Sequence, residues 1–128
     1  MTKNTVIITA EKKDRTIIKT IQSCLDQTDK DIEIIVAYSK LKNENKIRNH
    51  FKSKKVFFCK VKKKIQNKVQ DQLFKIEQSL KISNGKNIFL LDGDDIFSKN
   101  KIKMISKILN HKEIMIMDNY IIFKDSKK

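Results

Sequence analysis

Three carboxylates within four residues are the strongest chemical signal in this sequence. Asp92, Asp94 and Asp95 follow directly after the apolar run at residues 87–91, and charged groups this close together repel one another. A divalent cation is the usual compensation, and carboxylate oxygens suit Mg²⁺ or Mn²⁺. Alternatively, these are solvated carboxylates at the start of a helix. The cluster alone leaves both interpretations open.

No other motif in the chain indicates a cofactor. The sequence contains neither GxGxxG nor GxxxxGK[ST], so dinucleotide and P-loop nucleotide binding are not indicated. Cys24 and Cys59 lack the spacing of metal ligands or of a disulfide framework and are predicted to be reduced. His50 and His111 are isolated from any second ligand at metal spacing.

The chain is strongly basic, with 29 Lys and Arg against 15 Asp and Glu and a net charge of +14. Only Arg15 and Arg48 are arginines, whereas nucleic-acid surfaces usually employ arginine and interleaved aromatic side chains. We therefore interpret most lysines as a solvated surface and expect no specific nucleic-acid partner. The alternative is a basic face that attracts phosphates, acidic lipid headgroups or RNA, with residues 60–64 as the densest run.

No apolar run approaches the ~20 residues that span a bilayer. The first residues lead straight into a strand-like run, so no secretory signal is indicated. We expect a soluble cytoplasmic protein, with peripheral contact to an acidic membrane as an open alternative.

The apolar pattern predicts alternating strands and helices. Four short apolar runs are typical of buried parallel strands, and they cover residues 6–8, 32–37, 56–59 and 87–91. Four stretches have the spacing of amphipathic helices, and they cover residues 17–25, 41–51, 65–80 and 98–109. This order predicts an α/β fold with a mostly parallel sheet and helices on both faces.

We expect one domain over residues 1–128, with a lysine-rich tail at 125–128. Two further strand-like runs, at 114–117 and 120–123, are expected to join the sheet or to lie across its carboxyl end. Ligands of such sheets bind beyond the carboxyl ends of the strands. The acidic cluster follows the fourth strand, so it is predicted to lie at that edge.

Three local features are predicted for the last two helices. The apolar face of the third helix is expected to be formed by Ile65, Val69, Leu73, Ile76 and Leu80. Gly85 is expected to end this helix in the left-handed conformation. Ser98 is expected to cap the fourth helix.

The order of these elements and several motifs resemble the family 2 glycosyltransferases, which have the Rossmann-like GT-A fold. Residues 5–28 resemble the opening strand, loop and helix of that family. Its Ser-x-x-x-Gln-Thr pattern is present as Ser23, Gln27 and Thr28. Residues 33–36 match the second strand, and residues 85–95 match the segment that ends in the family's DxD motif. The resemblance spans about residues 5–123.

The resemblance implies that a nucleotide-diphosphate sugar binds at the carboxyl edge of the sheet. Asp92 and Asp94 would be the DxD carboxylates, contacting the ribose and a Mg²⁺ or Mn²⁺ ion that bridges the phosphates, with Asp95 adjacent. The other positions that match donor-binding residues of the family are Thr9, Ala10, Glu11, Tyr38, Ser39, Gln72 and Gly93. The implied donor is a UDP- or GDP-type sugar, and the implied reaction is inverting transfer in glycan or cell-envelope polysaccharide synthesis.

Two departures from the family concern the base pocket and the length. The second strand of the family usually ends in an Asp, whereas residues 37–39 read Ala-Tyr-Ser, and Glu11 replaces a common aromatic. Family members continue well beyond the point that matches residue 123, and that part brings the acceptor pocket and the general base. We therefore expect a truncated, donor-binding half. Asp118 is the one carboxylate in the region of the base, and it is more simply a residue that separates two strands.

Whether the isolated chain is an enzyme is therefore open. One alternative is a truncated relative that binds nucleotide without transferring sugar. The other is a basic α/β module that binds RNA or an acidic membrane, with the acidic cluster merely structural. An exposed sheet edge also predicts self-association or a partner chain.

Overall fold

Strands and helices alternate along the chain as the apolar pattern predicts. A computed structural model describes residues 4–62 and 65–109. The strands are β1 (Asn4–Thr9), β2 (Ile32–Tyr38), β3 (Val56–Lys60) and β4 (Asn87–Asp92). The helices are α1 (Ile17–Leu25), α2 (Glu44–His50), α3 (Lys68–Ile82) and α4 (Lys101–Leu109). The four strands form one parallel sheet in the order β3-β2-β1-β4, which confirms the predicted α/β architecture.

The register of the sheet sets which residues meet at its carboxyl edge. Thr9, the last residue of β1, is level with Ala37 of β2 and with Asp92 of β4. The carboxyl ends of β2, β1 and β4, which are neighbours in the sheet, therefore lie at about the same level. Side chains alternate between the two faces along each strand, so Thr9, Ala37 and Asp92 also share one face.

One face of the sheet packs against α1, α2 and α4. Val6, Ile34 and Phe89 are buried on this face and belong to a single apolar cluster. The helices contribute fully or nearly fully buried side chains to that cluster, namely Ile17, Ile21, Cys24, Ile47 and Ile102. These contacts match the sequence prediction for α1 and α2, and they form the main hydrophobic core.

The other face is covered by α3, which packs with its polar side, contrary to the sequence prediction. The buried residues of α3 are Lys75 and Ser79. Val69, Leu73 and Leu80, which were expected to face the core, are 66%, 59% and 44% exposed. Periodicity identifies an apolar stripe but not the orientation in which a helix docks. Here the side that docks carries Lys75, whose Nζ donates to the Ala10 carbonyl at 3.1 Å.

Two predicted helix boundaries are also wrong. α3 ends at Ile82, and no described glycine has a positive φ. A Cβ on Gly85 would lie 2.4 Å from the Thr5 nitrogen, so glycine is required here by the close approach of β1. α4 begins at Lys101, and the carbonyl of Ser98 accepts a hydrogen bond of 3.1 Å from the Lys101 nitrogen. Ser98 therefore belongs to the preceding loop.

Some predictions fall on parts of the chain that lie outside the described residues. These are the strand-like runs at 114–117 and 120–123, Asp118 and the tail at 125–128. Within residues 4–62 and 65–109, no helix has the length and apolar character that crossing a bilayer requires.

Candidate functional site

Three carboxylates converge at the carboxyl end of β4. The ligand oxygens of Asp92, Asp94 and Asp95 lie within 4.8 Å of one another, and all three side chains are exposed. A tight turn follows the strand, in which the Asp95 nitrogen donates to the Asp92 carbonyl at 3.0 Å. The turn reverses the chain, so carboxylates from both of its ends reach the same side.

The electrostatics of the cluster favour a bound cation. Partial desolvation of its carboxyl group raises the pKa of Asp95, and the negative charges of Asp94, Asp92 and Asp14 raise it further. A divalent ion would relieve this repulsion. The available donors are exposed carboxylate oxygens, the ligand type that Mg²⁺ and Mn²⁺ take. The residues present therefore fit such an ion, which Asp92 and Asp94 could hold with Asp95 within reach.

Gln72 connects α3 to the acidic cluster. Its Nε2 donates to Asp92 Oδ1 at 2.8 Å and to Thr9 Oγ1 at 3.3 Å. The helix starts just beyond Asn67, whose side chain accepts hydrogen bonds from two backbone N–H groups of the first turn. This cap sets where α3 begins and so places Gln72 over the sheet edge. Residues from β1, α3 and β4 are thereby joined at one point.

Gly93 lies where the acidic turn meets the loop after β1. Its nitrogen donates to the Thr9 carbonyl at 2.9 Å, and its carbonyl accepts a buried hydrogen bond of 3.0 Å from Thr20 Oγ1. A Cβ at this position would lie 2.3 Å from Asp14 Oδ2 and 3.1 Å from Ala10 Cα. Glycine therefore allows the β1 loop to approach the acidic turn closely.

Asp14 is a residue of this site that the sequence reasoning missed. Its Oδ2 accepts a hydrogen bond of 2.7 Å from the Glu11 nitrogen, which ties the ends of the loop together. Burial raises the pKa of Asp14; this hydrogen bond opposes the shift and the charge of Asp94 adds to it. The available signal was an Asp three residues after Glu11, a spacing at which short polar side chains bond to the local backbone.

The Tyr38 side chain is not among the residues that meet at the acidic cluster. Ala37 shares its face with Thr9 and Asp92, so strand alternation places Tyr38 on the opposite face. Tyr38 is fully buried, and its hydroxyl donates to Glu44 Oε2 at 3.0 Å and accepts from Arg48 Nη1 at 2.9 Å. Ser39 follows it, half-buried, in the loop beyond β2.

The loop after the acidic cluster is fastened to the end of α1 by the Ser-x-x-x-Gln-Thr pattern. Gln27 is fully buried; its Nε2 donates to the Ser98 carbonyl at 2.7 Å and its Oε1 accepts from the Ile102 nitrogen at 3.1 Å. Ser23 Oγ accepts from the Phe97 nitrogen at 3.2 Å. These bonds hold the segment that leads from the cluster into α4.

Comparison with known proteins identifies the family of this chain. The family model described as glycosyl transferase family 2 matches residues 5–128. No curated protein sequence gives a significant match.

Crystal structures of S. aureus TarS have a similar fold. TarS 1-349 is 16% identical with a TM-score of 0.69, and the match covers 84% of this chain and 32% of that chain. A longer TarS structure is 15% identical with a TM-score of 0.72, covering 84% and 19%. TarS 1-349 in complex with UDP is 14% identical with a TM-score of 0.68, covering 84% and 32%.

A further TarS 1-349 structure, in complex with UDP-GlcNAc, is 14% identical with a TM-score of 0.61 and covers 83% and 30%. The chain thus spans about a third or less of the TarS chains that it matches. At these identities the likeness is one of fold, and it confirms the expected GT-A architecture.

Proposed function

Because the chain belongs to glycosyl transferase family 2, we propose that it binds a nucleotide-diphosphate sugar at the carboxyl edge of its sheet. The observation that carries the proposal is the convergence of Asp92, Asp94 and Gln72 beside the loop that follows β1. Carboxylates for a metal and a close backbone approach are what a charged diphosphate needs at such an edge. The proposed reaction in which this donor takes part is inverting sugar transfer in glycan or cell-envelope polysaccharide synthesis.

The proposed donor is of the UDP type. Crystal structures of TarS, which share the fold, are of complexes with UDP and with UDP-GlcNAc. A GDP-type sugar is the alternative, since residues 37–39 lack the Asp that family members usually have at the end of the second strand.

Each residue of the site has a proposed role. Asp92 and Asp94 hold Mg²⁺ or Mn²⁺, and the ion, when bound, neutralises the diphosphate charge. Gln72 and Thr9 keep Asp92 oriented through their hydrogen bonds. Gly93 leaves room for the β1 loop.

The nucleoside is proposed to lie between the β1 loop and the end of β2. Ala10 and Glu11 would contact it from the loop, and Asp14 holds that loop closed. Ser39 would contact it from the end of β2, and Tyr38 supports that end from the opposite face. Transfer also needs a bound acceptor and a general base, and neither role is assigned to a described residue.

Calorimetric titration with UDP, UDP-GlcNAc, GDP and GDP-mannose, each with and without Mn²⁺, tests the proposal. We expect Mn²⁺-dependent binding of the uridine nucleotides and a matching rise in the melting temperature. Binding of the GDP forms alone would overturn the donor class but not the site. An absence of Mn²⁺-dependent binding for all four would overturn the proposed function, and salt-sensitive RNA binding in its place would favour a basic binding module.

A further inference from the structure

Lys75 is a buried cation directly behind the proposed donor site. Its side chain is 3% exposed and lies on the side of α3 that packs against the sheet. Nζ donates to the Ala10 carbonyl at 3.1 Å and pairs with Asp71 Oδ2 at 2.9 Å. Burying an ammonium group is costly unless it is paired and hydrogen-bonded. Both contacts are therefore needed for Lys75 to occupy this position.

The Ala10 carbonyl is the point at which the chain leaves β1. The Ala10 nitrogen donates to the Ala37 carbonyl at 2.9 Å, so β2 holds one backbone group of this residue and Lys75 holds the other. The next residue is Glu11, whose nitrogen is bound by Asp14. A side chain from α3 therefore contacts the β1 loop at the point where the loop leaves the strand.

We propose that Lys75 is a positioning residue for nucleotide binding, acting through the Ala10 carbonyl on the loop at residues 10–14. The inference rests on the proposed function, because this loop is the part of the site assigned to the nucleoside. α3 then supports the site at two points about one turn apart. Gln72 orients the metal ligand Asp92, and Lys75 orients the loop.

The hydrogen bonds of Gln72 and of Lys75 should affect the binding of different ligands. Removing the Lys75 ammonium frees the Ala10 carbonyl but leaves the hydrogen bond from Gln72 to Asp92 in place. Nucleotide affinity should therefore fall while the affinity for the metal alone is retained. A lysine that only stabilised the fold would alter both affinities together or neither.

The experiment compares wild type with Lys75→Met, which keeps the apolar stem and removes the charged donor. Mn²⁺ binding is measured alone by electron paramagnetic resonance, and UDP binding is measured at saturating Mn²⁺ by calorimetry. We expect about a tenfold weaker UDP affinity, as for a lost hydrogen bond to a charged donor, and an unchanged Mn²⁺ affinity. Lys75→Arg, which keeps a cationic donor, should recover most of the UDP affinity.

Two further variants separate positioning from folding. Lys75→Met leaves the Asp71 carboxylate without its cation, so Asp71→Asn/Lys75→Met removes both charges and should show the same selective loss of UDP affinity in a more stable background. Ser79→Ala is the matched control, because Ser79 is buried on the same side of α3 and its Oγ is hydrogen-bonded to the Lys75 backbone carbonyl and to the Cys59 thiol of β3. It should keep wild-type UDP affinity.

The outcomes distinguish the inference from the proposed function. If wild type binds UDP and Lys75→Met binds it equally well, or loses Mn²⁺ affinity to the same extent, the positioning role is overturned while the function stands. If wild type binds no nucleotide, the proposed function fails, and the ligand role of Lys75 fails with it. Amide hydrogen exchange at Glu11 and Asp14 tests separately whether Lys75 orders the loop. We expect faster exchange in Lys75→Met than in wild type, and equal exchange would show that Lys75 does not order the loop.

Discussion

Gln72 and Asp92 lie 20 residues apart in the sequence and are joined by a hydrogen bond of 2.8 Å from Gln72 Nε2 to Asp92 Oδ1. The same amide nitrogen also reaches Thr9 Oγ1 at 3.3 Å. A helix on one face of the sheet thereby fixes the orientation of a carboxylate at the end of an edge strand. Side chains in this relation to a metal ligand commonly determine how well the ligand binds its ion.

Replacing Gln72 should therefore weaken metal binding. Gln72→Leu removes the donor that orients Asp92, and we expect Mn²⁺ affinity to fall by about tenfold, measured by electron paramagnetic resonance. Gln70→Leu is the matched control, since Gln70 is an exposed glutamine of the same helix. Equal Mn²⁺ affinities for the two variants would contradict the role given to Gln72.

Replacing Asp94 should abolish the stabilisation by metal and nucleotide without lowering the stability of the metal-free protein. Asp94→Asn removes one charge from a group of mutually repelling carboxylates, so the free energy of unfolding without metal should be equal or higher. The rise in melting temperature that Mn²⁺ and UDP produce together should disappear. Asp31→Asn, an exposed aspartate just before β2, should keep that rise. A normal response in Asp94→Asn would show that the motif does not act as a DxD.

An added methyl group should lower the free energy of unfolding more at Gly85 than at Gly93. At Gly85 a Cβ would lie 2.2 Å from Thr5 Oγ1, 2.4 Å from the Thr5 nitrogen and 2.7 Å from the Asn4 carbonyl carbon, and the last two are backbone atoms of the inner strand β1. We expect Gly85→Ala to lower the free energy of unfolding by about 3 kcal/mol, at the upper end for overpacking.

At Gly93 the closest atom is Asp14 Oδ2, the end of a side chain that can move. Gly93→Ala should therefore cost less, about 1 kcal/mol, while displacing Asp14 from its bond to the Glu11 nitrogen. Urea unfolding measures both values. Lys86→Ala, at an exposed neighbouring position, should change little. A Gly85→Ala variant as stable as Lys86→Ala would refute the steric explanation.

Glu33 should make the stability of the amino end of the sheet depend on pH. Burial acts to raise the pKa of Glu33, but hydrogen bonds from Thr5, Asn84 and Gly85 outweigh it and hold the pKa below its ordinary value of 4.5. The Thr5 hydroxyl donates at 2.6 Å and the Gly85 nitrogen at 3.2 Å. A carboxylate with a lowered pKa stabilises the fold above its unfolded-state pKa.

That contribution is lost as the pH falls through the folded-state pKa of Glu33, below 4.5. Wild type should therefore exceed Glu33→Gln in stability at neutral pH, and the difference should shrink as the pH is lowered past that value. Urea unfolding of both proteins between pH 7 and pH 3 checks this. A difference that stays constant over the range, or that grows at acid pH, would contradict the assignment.

The pattern of residue types was sufficient to predict the architecture. Short apolar runs such as residues 32–37 are typical of parallel strands that are covered on both faces, and the helical spacing between them favours crossovers that return each strand in the same direction. Parallel strands end at one edge, so the order of elements predicted that the acidic cluster shares an edge with the residues after β1. The family resemblance named Thr9 and Ala10 there, and the structure placed β1 beside β4.

Side-chain partners between distant elements were decided only by the tertiary structure. Lys75 is buried and Leu73 is exposed on the same helix. The Asp71–Lys75 pair has an i,i+4 spacing that the sequence shows. The bond from Lys75 Nζ to the Ala10 carbonyl joins α3 to the loop after β1, and local periodicity does not report it. Tyr38 is the last residue of β2, but its side chain lies on the face opposite to Thr9 and Asp92. A shift of one residue along a strand moves the side chain to the other face. Periodicity records the average environment of a face, whereas a binding site depends on individual atoms brought together by folding.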